Sequence, residues 1–258
     1  MSAPAAIVDW YLKSLIHTRE GNILPRTELR DERRTMATKE AWEREYTVLQ
    51  AIPSSRREEP AKALLLFAEL LGLQDKTVLD AGCGNGRNAV YLAKRGCEVR
   101  AVDFTDVALA ETQRRAVEAD VQGRVSVAKV DLSGPLPFSA HSFDLGLDAY
   151  TFCHFLDGRL ASDFWREMRR VVRPTGRLIS IAFSVEDAYY AQYRSPNDFQ
   201  IVTDPSNQIS KRLYQENELK DFFSQFFRIE YLAKFEFADV VHKTVFNRVV
   251  FATILQPS

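Results

Sequence analysis

The run VLDAGCGNGRNAVYLAKRG, residues 78–96, constrains the fold of this chain more than any other segment. β-prone residues at 77–81 lead directly into a loop that contains Gly82, Gly84 and Gly86, and a helix follows at once. Glycine lets a loop turn tightly and lets its backbone approach a ligand closely. A helix N-terminus adds free N–H groups and partial positive charge. The segment therefore predicts a strand–loop–helix unit that binds a ligand.

Strands and helices alternate after this unit, which is typical of a parallel sheet with helices on both faces. Further strands are predicted at 98–103, 124–130, 143–149 and 177–183, with helices at 88–95, 106–119 and 163–172. Near the C-terminus, two β-rich runs at 227–236 and 245–255 follow each other without a helix, so they predict an antiparallel pair. We expect a Rossmann-like α/β fold, with a seven-stranded, mostly parallel sheet and one antiparallel strand near its end.

We expect one domain, residues 1–258, with four parts. Residues 1–59 predict an N-terminal helical lid, because an amphipathic stripe runs along 5–17 (Val8, Tyr11, Leu12 and Leu15) and a weaker one along 38–50. A ligand-binding core follows at 60–184 and an aromatic-rich insertion at 185–214. A C-terminal helix and the strand pair complete the chain at 215–258.

Composition and charge exclude several classes of function. Lys and Arg number 34 and Asp and Glu 35, so the formal net charge is −1 and we expect no nucleic-acid partner. Three cysteines without a C-x-x-C pair predict neither a disulfide framework nor a metal site. The N-terminus lacks the pattern of a signal peptide, and no apolar run has the length of a membrane span. We therefore expect a cytoplasmic protein with no membrane partner.

The spacing within and after the loop distinguishes between ligands. The glycines read G-x-G-x-G, whereas a dinucleotide site needs G-x-G-x-x-G and a P-loop needs a Lys followed by Ser or Thr. Asp103 ends the next strand, 19 residues beyond Gly84, where a carboxylate accepts hydrogen bonds from ribose hydroxyls. Phe104 is placed to lie against an adenine face. At the end of the third strand, Asp131 is placed to accept from the adenine amino group and Leu132 to pack against the ring.

In these features the chain resembles the class I S-adenosylmethionine-dependent methyltransferases, whose motif order residues 60–184 follow. The run GCGNGRNAVYLA is especially similar to the tellurite-resistance methyltransferases and their small-molecule relatives. Residues 42–46, WEREY, look like the W-x-x-x-Y segment upstream of the glycine motif in that group. The resemblance implies S-adenosylmethionine as the cofactor.

The same resemblance implies roles for individual residues. Asp80, Gly82 and Gly84 would border the methionine part of the cofactor, with Arg87 near its carboxylate. Asp103 would hold the ribose, and Tyr150, just past the fourth strand, would lie near the sulfonium. The full cofactor-binding set is Tyr46, Asp80, Gly82, Cys83, Gly84, Asn85, Arg87, Asp103, Phe104, Asp131, Leu132 and Tyr150.

The insertion at 185–214 is long and aromatic enough to suggest a lid over an acceptor pocket. Its aromatic residues are Tyr189, Tyr190, Tyr193, Phe199 and Tyr214. Aromatic faces stabilise a desolvated sulfonium by about 1–2 kcal/mol, so Tyr190 and Tyr193 join Tyr150 as catalytic candidates. The alternative is that these rings only anchor a loop.

His154 is the fourth catalytic candidate, because in related methyltransferases this place follows the fourth strand and faces the acceptor. A histidine there takes a proton from a hydroxyl or an amine. The alternative is an ordinary histidine at a helix start. Its neighbour Cys153 is expected to be a small buried hydrophobe, not a reactive thiol.

Three functions remain open. The first is in-line methyl transfer to a small-molecule acceptor. In the second the cofactor itself is the substrate, as in the azetidine-2-carboxylate synthases, which resemble methyltransferases but cyclise S-adenosylmethionine and release methylthioadenosine. The third is a non-catalytic regulator that binds the cofactor. The sequence leaves the acceptor and the oligomeric state open.

Overall fold

The structure is a computed structural model that describes residues 15–17, 23–25, 38–195 and 198–258. The chain divides into two units, residues 1–36 and 37–258. In the first unit, strand β1 (Leu15–His17) pairs antiparallel with β2 (Ile23–Pro25). The helix predicted over 5–17 is therefore wrong at its C-terminal end, and its residues 5–14 lie outside the described residues.

The second unit begins with three helices. Helix α1 (Lys39–Arg44) starts at Thr38, whose side chain accepts a hydrogen bond from the backbone N–H of Ala41, and it continues into a π-helical turn, Glu45–Leu49. Helix α2 (Pro53–Arg56) is short. Helix α3 (Lys62–Leu71) ends at Gly72, which has φ +56°. Helix α1 and the π-helical turn agree with the helical stripe predicted along 38–50.

The core follows the predicted alternation closely. Its elements are β3 (Thr77–Ala81), α4 (Arg87–Lys94), β4 (Glu98–Asp103), α5 (Asp106–Glu118), β5 (Val125–Lys129), β6 (Phe143–Ala149), α6 (Gly158–Val171) and β7 (Val172–Phe183). Helix α6 begins five residues before its predicted start, because the side chain of Asp157 accepts from the backbone N–H of Arg159 and caps the helix.

The predicted insertion carries regular structure. It contains α7 (Ala188–Ala191), β8 (Ile201–Thr203) and β9 (Ser210–Arg212), and the last two strands form an antiparallel ribbon. Helix α8 (Glu216–Phe223) then precedes the long strands β10 (Phe227–Val241) and β11 (Thr244–Pro257).

The main sheet has seven strands in the order β10-β11-β7-β6-β3-β4-β5. Strands β7, β6, β3, β4 and β5 are parallel, whereas β11 is antiparallel to both of its neighbours. The predicted fold, including its single antiparallel strand, is confirmed. The order reverses beside β3, and the carboxyl ends of β3, β4 and β6 meet there, which is where open α/β sheets bind ligands.

The hairpin of β10 and β11 extends beyond the rest of the sheet. Only Val250–Leu255 of β11 pair with β7, whereas β10 and β11 continue to pair with each other up to Val241 and Thr244. The connecting residues His242 and Lys243 have φ of +49° and +66°, as the tight turn of a two-residue hairpin requires. We call the part that lacks a β7 partner, residues 236–249, the hairpin overhang.

Within the described residues, no helix is long and apolar enough to cross a membrane. In the same part of the chain, no group of three or more His, Cys, Asp or Glu side chains is placed to hold a metal ion.

Candidate functional site

The loop between β3 and α4 has a backbone that only glycine adopts without strain. Gly82, Gly84 and Gly86 have φ of +72°, +55° and +78°. The N–H of Gly82 donates to the carbonyl of Val102 over 2.8 Å, which fastens the loop to β4. A Cβ on Gly82 would lie 2.2 Å from the hydroxyl oxygen of Thr151. The loop therefore presents bare backbone at the carboxyl ends of the strands.

Asp80, the fourth residue of β3, is buried beneath this loop with only 1% of its surface exposed. Its Oδ2 atom has no hydrogen-bond partner among the described residues. Burial raises the pKa of the Asp80 carboxyl to about 7, although the positive charge of Arg87 opposes the shift. A buried carboxylate oxygen without a donor fits a bound ammonium group.

Asp103 ties the end of β4 to the loop. Its Oδ2 accepts from the N–H of Gly84 over 3.1 Å, and its Oδ1 accepts from the N–H and hydroxyl of Thr105 over 3.0 and 2.8 Å. Burial raises the pKa of the Asp103 carboxyl, and these donors oppose the rise. Its two oxygens offer further lone pairs for ligand hydroxyls.

Two aromatic side chains, Tyr46 from the π-helical turn and Phe104 from the end of β4, belong to the surroundings of the loop. Tyr46 and Phe104 pack against a cluster that contains Trp42, and the hydroxyl oxygen of Tyr46 lies 2.8 Å from the position that a Cβ of Gly84 would take. At the end of β5, Leu132 is buried, whereas the exposed Asp131 accepts from the N–H and hydroxyl of Ser133 over 2.9 and 2.7 Å.

Asn85 and Arg87 connect the glycine loop to the segment before α3. Asn85 donates to the carbonyl of Arg57 over 2.8 Å and accepts from the N–H of Arg87 over 3.3 Å. Arg87 donates to the carbonyl of Glu59 over 3.1 Å, and burial lowers its pKa. Cys83 is buried with its sulfur 3.6 Å from the hydroxyl of Thr112, and burial raises the pKa of the thiol.

A cavity of about 380 Å³ lies next to Arg87 and combines aromatic walls with charged groups. Its aromatic lining residues are Tyr150, Phe183, Tyr190 and Phe237. Its charged lining residues are Arg57, Glu59, Lys62, Arg87, Asp239 and Arg248. The cavity volume is typical of a small-molecule site.

Tyr150, directly after β6, lines this cavity from a strained position. Its φ is +72°, which is uncommon for a residue other than glycine and persists only where the surroundings hold it. Asp148 holds the turn, because its Oδ1 accepts from the N–H groups of Thr151 and Phe152 over 3.0 and 2.8 Å. The ring of Tyr150 stacks on Phe183 at 4.7 Å. The strained turn therefore aims the ring of Tyr150 into the cavity.

The predicted lid tyrosines separate into two groups. Tyr190 lines the cavity, and its hydroxyl oxygen accepts from the ammonium of the buried Lys211 over 2.8 Å. Tyr193 does not line this cavity; its ring packs edge-on against Tyr189 at 5.5 Å. The Tyr189 hydroxyl in turn donates to Asp204 over 2.9 Å.

His154 is placed away from the cavity, in the short 3₁₀ turn Phe152–His154. Its Nδ1 lies 3.0 Å from the carbonyl of Ser210, and the ring of Trp42 meets it edge-on at 4.8 Å. Burial, and after it the charge of Lys211, lower the pKa of His154 to about 3. His154 thus does not line this cavity, and its role stays a prediction. Cys153 is fully buried, as expected.

Sequence reasoning missed Arg57, Asp239, Lys211 and Arg248. Arg248 is the one charged residue in the largely apolar run 245–255. A charge in such a run could have marked it as a candidate site residue. The other three had no distinguishing pattern, since their importance depends on which elements the fold brings together.

Comparisons with known proteins agree with the fold. Residues 78–176 match the family model described as "Methyltransferase domain". The chain is 35% identical to a malonyl-[acyl-carrier protein] O-methyltransferase of Salmonella typhimurium over 48% of this chain and 44% of that protein. It is 27% identical to the S-adenosyl-L-methionine-dependent Diels-Alderase iliD of Neonectria sp. over 66% of both chains. The matches to the first curated relatives span less than half of those proteins' own length.

Among solved structures, the fold is similar to that of a Burkholderia thailandensis 1,6-didemethyltoxoflavin-N1-methyltransferase with bound S-adenosylhomocysteine. The TM-score is 0.59 at 19% identity, and the match covers 100% of this chain and 94% of that chain. At this identity the likeness concerns the fold alone.

Proposed function

We infer that this chain, which carries a class I S-adenosylmethionine-dependent methyltransferase domain, transfers a methyl group to a small-molecule acceptor. The observation that carries the proposal is the position of Arg87 and Tyr150. Both belong to the cofactor-binding residues expected from the sequence, and both line the aromatic cavity. A pocket with room for a small second molecule thus shares two residues with the candidate cofactor site.

The residues around the loop fit the cofactor. The unpartnered Oδ2 of Asp80 suits the ammonium of its methionine part. The glycine backbone permits close approach, and Asp103 offers acceptor oxygens for ribose hydroxyls. We assign the cofactor site to Tyr46, Asp80, Gly82, Cys83, Gly84, Asn85, Arg87, Asp103, Phe104, Asp131, Leu132 and Tyr150.

When bound, S-adenosylmethionine supplies an electrophilic methyl group on a sulfonium ion. The chain's own contribution is to position the acceptor and to exclude water from it. The stacked rings of Tyr150 and Phe183 offer aromatic faces to a nearby positive charge. Tyr150 and Tyr190 are the catalytic candidates that reach the cavity, so we assign contact with the acceptor to these two and a structural role to Tyr193 and His154.

The test is to incubate the protein with methyl-labelled S-adenosylmethionine, with and without a pool of small-molecule metabolites, and to quantify the nucleoside products by mass spectrometry. Methyl transfer predicts S-adenosylhomocysteine and a labelled product only when the pool is present. Methylthioadenosine formed from the cofactor alone would instead establish the cofactor-cyclising reaction. Binding without any product in either arm would indicate a regulator.

A second candidate is suggested by the similarity to a Diels-Alderase, which extends over two thirds of both chains. In that case the cofactor stays intact while a pool compound is converted into an isomer of the same mass. The same experiment separates the two candidates, because only methyl transfer consumes S-adenosylmethionine. A matched control is Asp106→Asn, whose exposed carboxylate pairs with Lys129 and should leave product formation unchanged.

A further inference from the structure

Arg248 is buried, and one of its three guanidinium nitrogens lacks a hydrogen-bond partner among the described residues. It lies in the hairpin overhang with 3% of its surface exposed and lines the cavity. Its Nε donates to Oδ2 of Asp187 over 2.7 Å, and its Nη1 lies 3.5 Å from Oδ2 of Asp239. Its Nη2 is buried and has no hydrogen-bond partner among the described residues. A buried guanidinium donor without an acceptor is costly, and an acceptor atom of a bound ligand would relieve that cost.

A second donor sits beside it. The Tyr190 ring lies 5.0 Å from the guanidinium of Arg248, and Lys211 donates to the Tyr190 hydroxyl oxygen over 2.8 Å. Because Lys211 occupies an acceptor position of that oxygen, the hydroxyl hydrogen is left to be donated elsewhere. No described residue accepts it. Tyr190 and Arg248, which both line the cavity, thus each hold an unused donor.

The charges of the lining favour an anion. Four cationic side chains line the cavity against two carboxylates, those of Glu59 and Asp239. Asp239 is already shared between Arg57 and Arg248, and the buried Asp187, which does not line the cavity, offsets one further positive charge by pairing with Arg248. The fully buried Lys211 makes no ion pair with any described carboxylate, so a further positive charge stands behind Tyr190. An anionic ligand would balance this excess.

We propose that the acceptor carries a carboxylate on a flat, aromatic body, held by Nη2 of Arg248 and the hydroxyl of Tyr190. The proposal rests on the function proposed above and names its substrate class. Nη2 is the guanidinium nitrogen left to donate a charge-assisted hydrogen bond to a carboxylate oxygen, and the stacked Tyr150 and Phe183 rings provide a wall for a planar ring. The cofactor's own carboxylate is assigned to Arg87, which belongs to α4 and not to the overhang.

The experiment uses benzoate as the probe and benzamide as its uncharged match, each titrated by calorimetry into wild-type protein saturated with S-adenosylhomocysteine. We expect benzoate to bind and benzamide to bind at least tenfold more weakly. Equal binding of the two, or no binding of benzoate, overturns the proposal. Failure of S-adenosylhomocysteine itself to bind would instead contradict the proposed function.

Two variants test whether Arg248 and Tyr190 contact the carboxylate of benzoate. Arg248→Gln and Tyr190→Phe should each weaken benzoate binding about tenfold, as expected for the loss of a charge-assisted hydrogen bond, while S-adenosylhomocysteine affinity stays within twofold. The matched control is Arg228→Gln, an exposed arginine at the far end of the same hairpin, which should change neither affinity. If Arg248→Gln does not fold, the Tyr190→Phe variant and the benzoate–benzamide comparison decide the question. Unchanged benzoate affinity in a folded variant overturns the assignment of that residue.

Discussion

Glu45 accepts a hydrogen bond from the side-chain amide of Asn207 over 3.0 Å, although the two residues are 162 positions apart. Glu45 is fully buried, and its other oxygen accepts from the N–H of Ile52 and the hydroxyl of Ser55 over 2.9 and 2.7 Å. One carboxylate therefore ties the helices before the core to the turn between β8 and β9.

Removing this carboxylate should loosen both segments. Glu45→Ala leaves the buried N–H of Ile52 and the buried amide of Asn207 without an acceptor, whereas the Ser55 hydroxyl keeps the carbonyl of Ile52 as its acceptor. We therefore expect the free energy of unfolding to fall by about 3 kcal/mol. Urea denaturation measures the loss. In a double-mutant cycle with Asn207→Ala, the pair should show a coupling of about 1 kcal/mol. Strict additivity of the two changes would contradict the contact.

The close approach of Tyr46 to Gly84 makes a second prediction. Gly84→Ala should reduce S-adenosylhomocysteine affinity, because the new methyl group would lie 2.8 Å from the Tyr46 hydroxyl. Adding Tyr46→Phe removes the clashing atom and should restore part of the affinity. A residual cost of about 1 kcal/mol remains, because alanine is strained at φ +55°. Calorimetry of both single variants and the double variant tests this, and no recovery in the double variant would count against it.

Cofactor affinity should depend on pH through Asp80. Burial raises the pKa of this carboxyl to about 7, so below pH 7 the group holds a proton that must leave before the carboxylate can pair with an ammonium. Affinity for S-adenosylhomocysteine should therefore rise from pH 6 to pH 8 by about tenfold. Calorimetry across this range measures the rise. Asp80→Asn should bind weakly with a flatter profile, whereas a flat wild-type profile would contradict the assignment.

Removing the Tyr150 hydroxyl should affect turnover but hardly change the free energy of unfolding. It has no hydrogen-bond partner in the described part of the chain, and the ring keeps its stacking on Phe183 when the hydroxyl is removed. Tyr150→Phe should change the free energy of unfolding by less than about 0.5 kcal/mol, yet lower turnover of the identified acceptor at least tenfold. Tyr231→Phe, at a partly exposed ring that packs on Phe67, is the control for both measurements. A parallel loss of stability and turnover would argue for a structural role.

The sequence predicted best those features that depend on neighbouring residues. The strands over Thr77–Ala81 and Phe143–Ala149 have their predicted bounds, because local β-propensity and the flanking turn residues agree there. The acid that ends β4 was likewise found from its spacing to the glycine loop. In each case the pattern repeats over a few consecutive positions.

Features that depend on tertiary arrangement were missed. The surroundings of His154 depend on Trp42 and Ser210, which come from distant elements, so the sequence could not show that His154 does not line the cavity. Arg248 reaches the cavity because of the register of β11 against β7 and the position of the hairpin turn. Neither relation is visible in a local pattern.

The hairpin overhang suggests how this protein lineage could diversify. The overhang supplies Phe237, Asp239 and Arg248 to the cavity, but it is bonded to no strand outside its own hairpin. The glycine loop lies more than 140 positions earlier in the chain, and Arg57 links it to the overhang, because its carbonyl accepts from Asn85 and its guanidinium pairs with Asp239. Substitutions in the overhang would therefore reshape the cavity at this margin of the sheet, while the backbone of the glycine loop is set by its own positive φ angles.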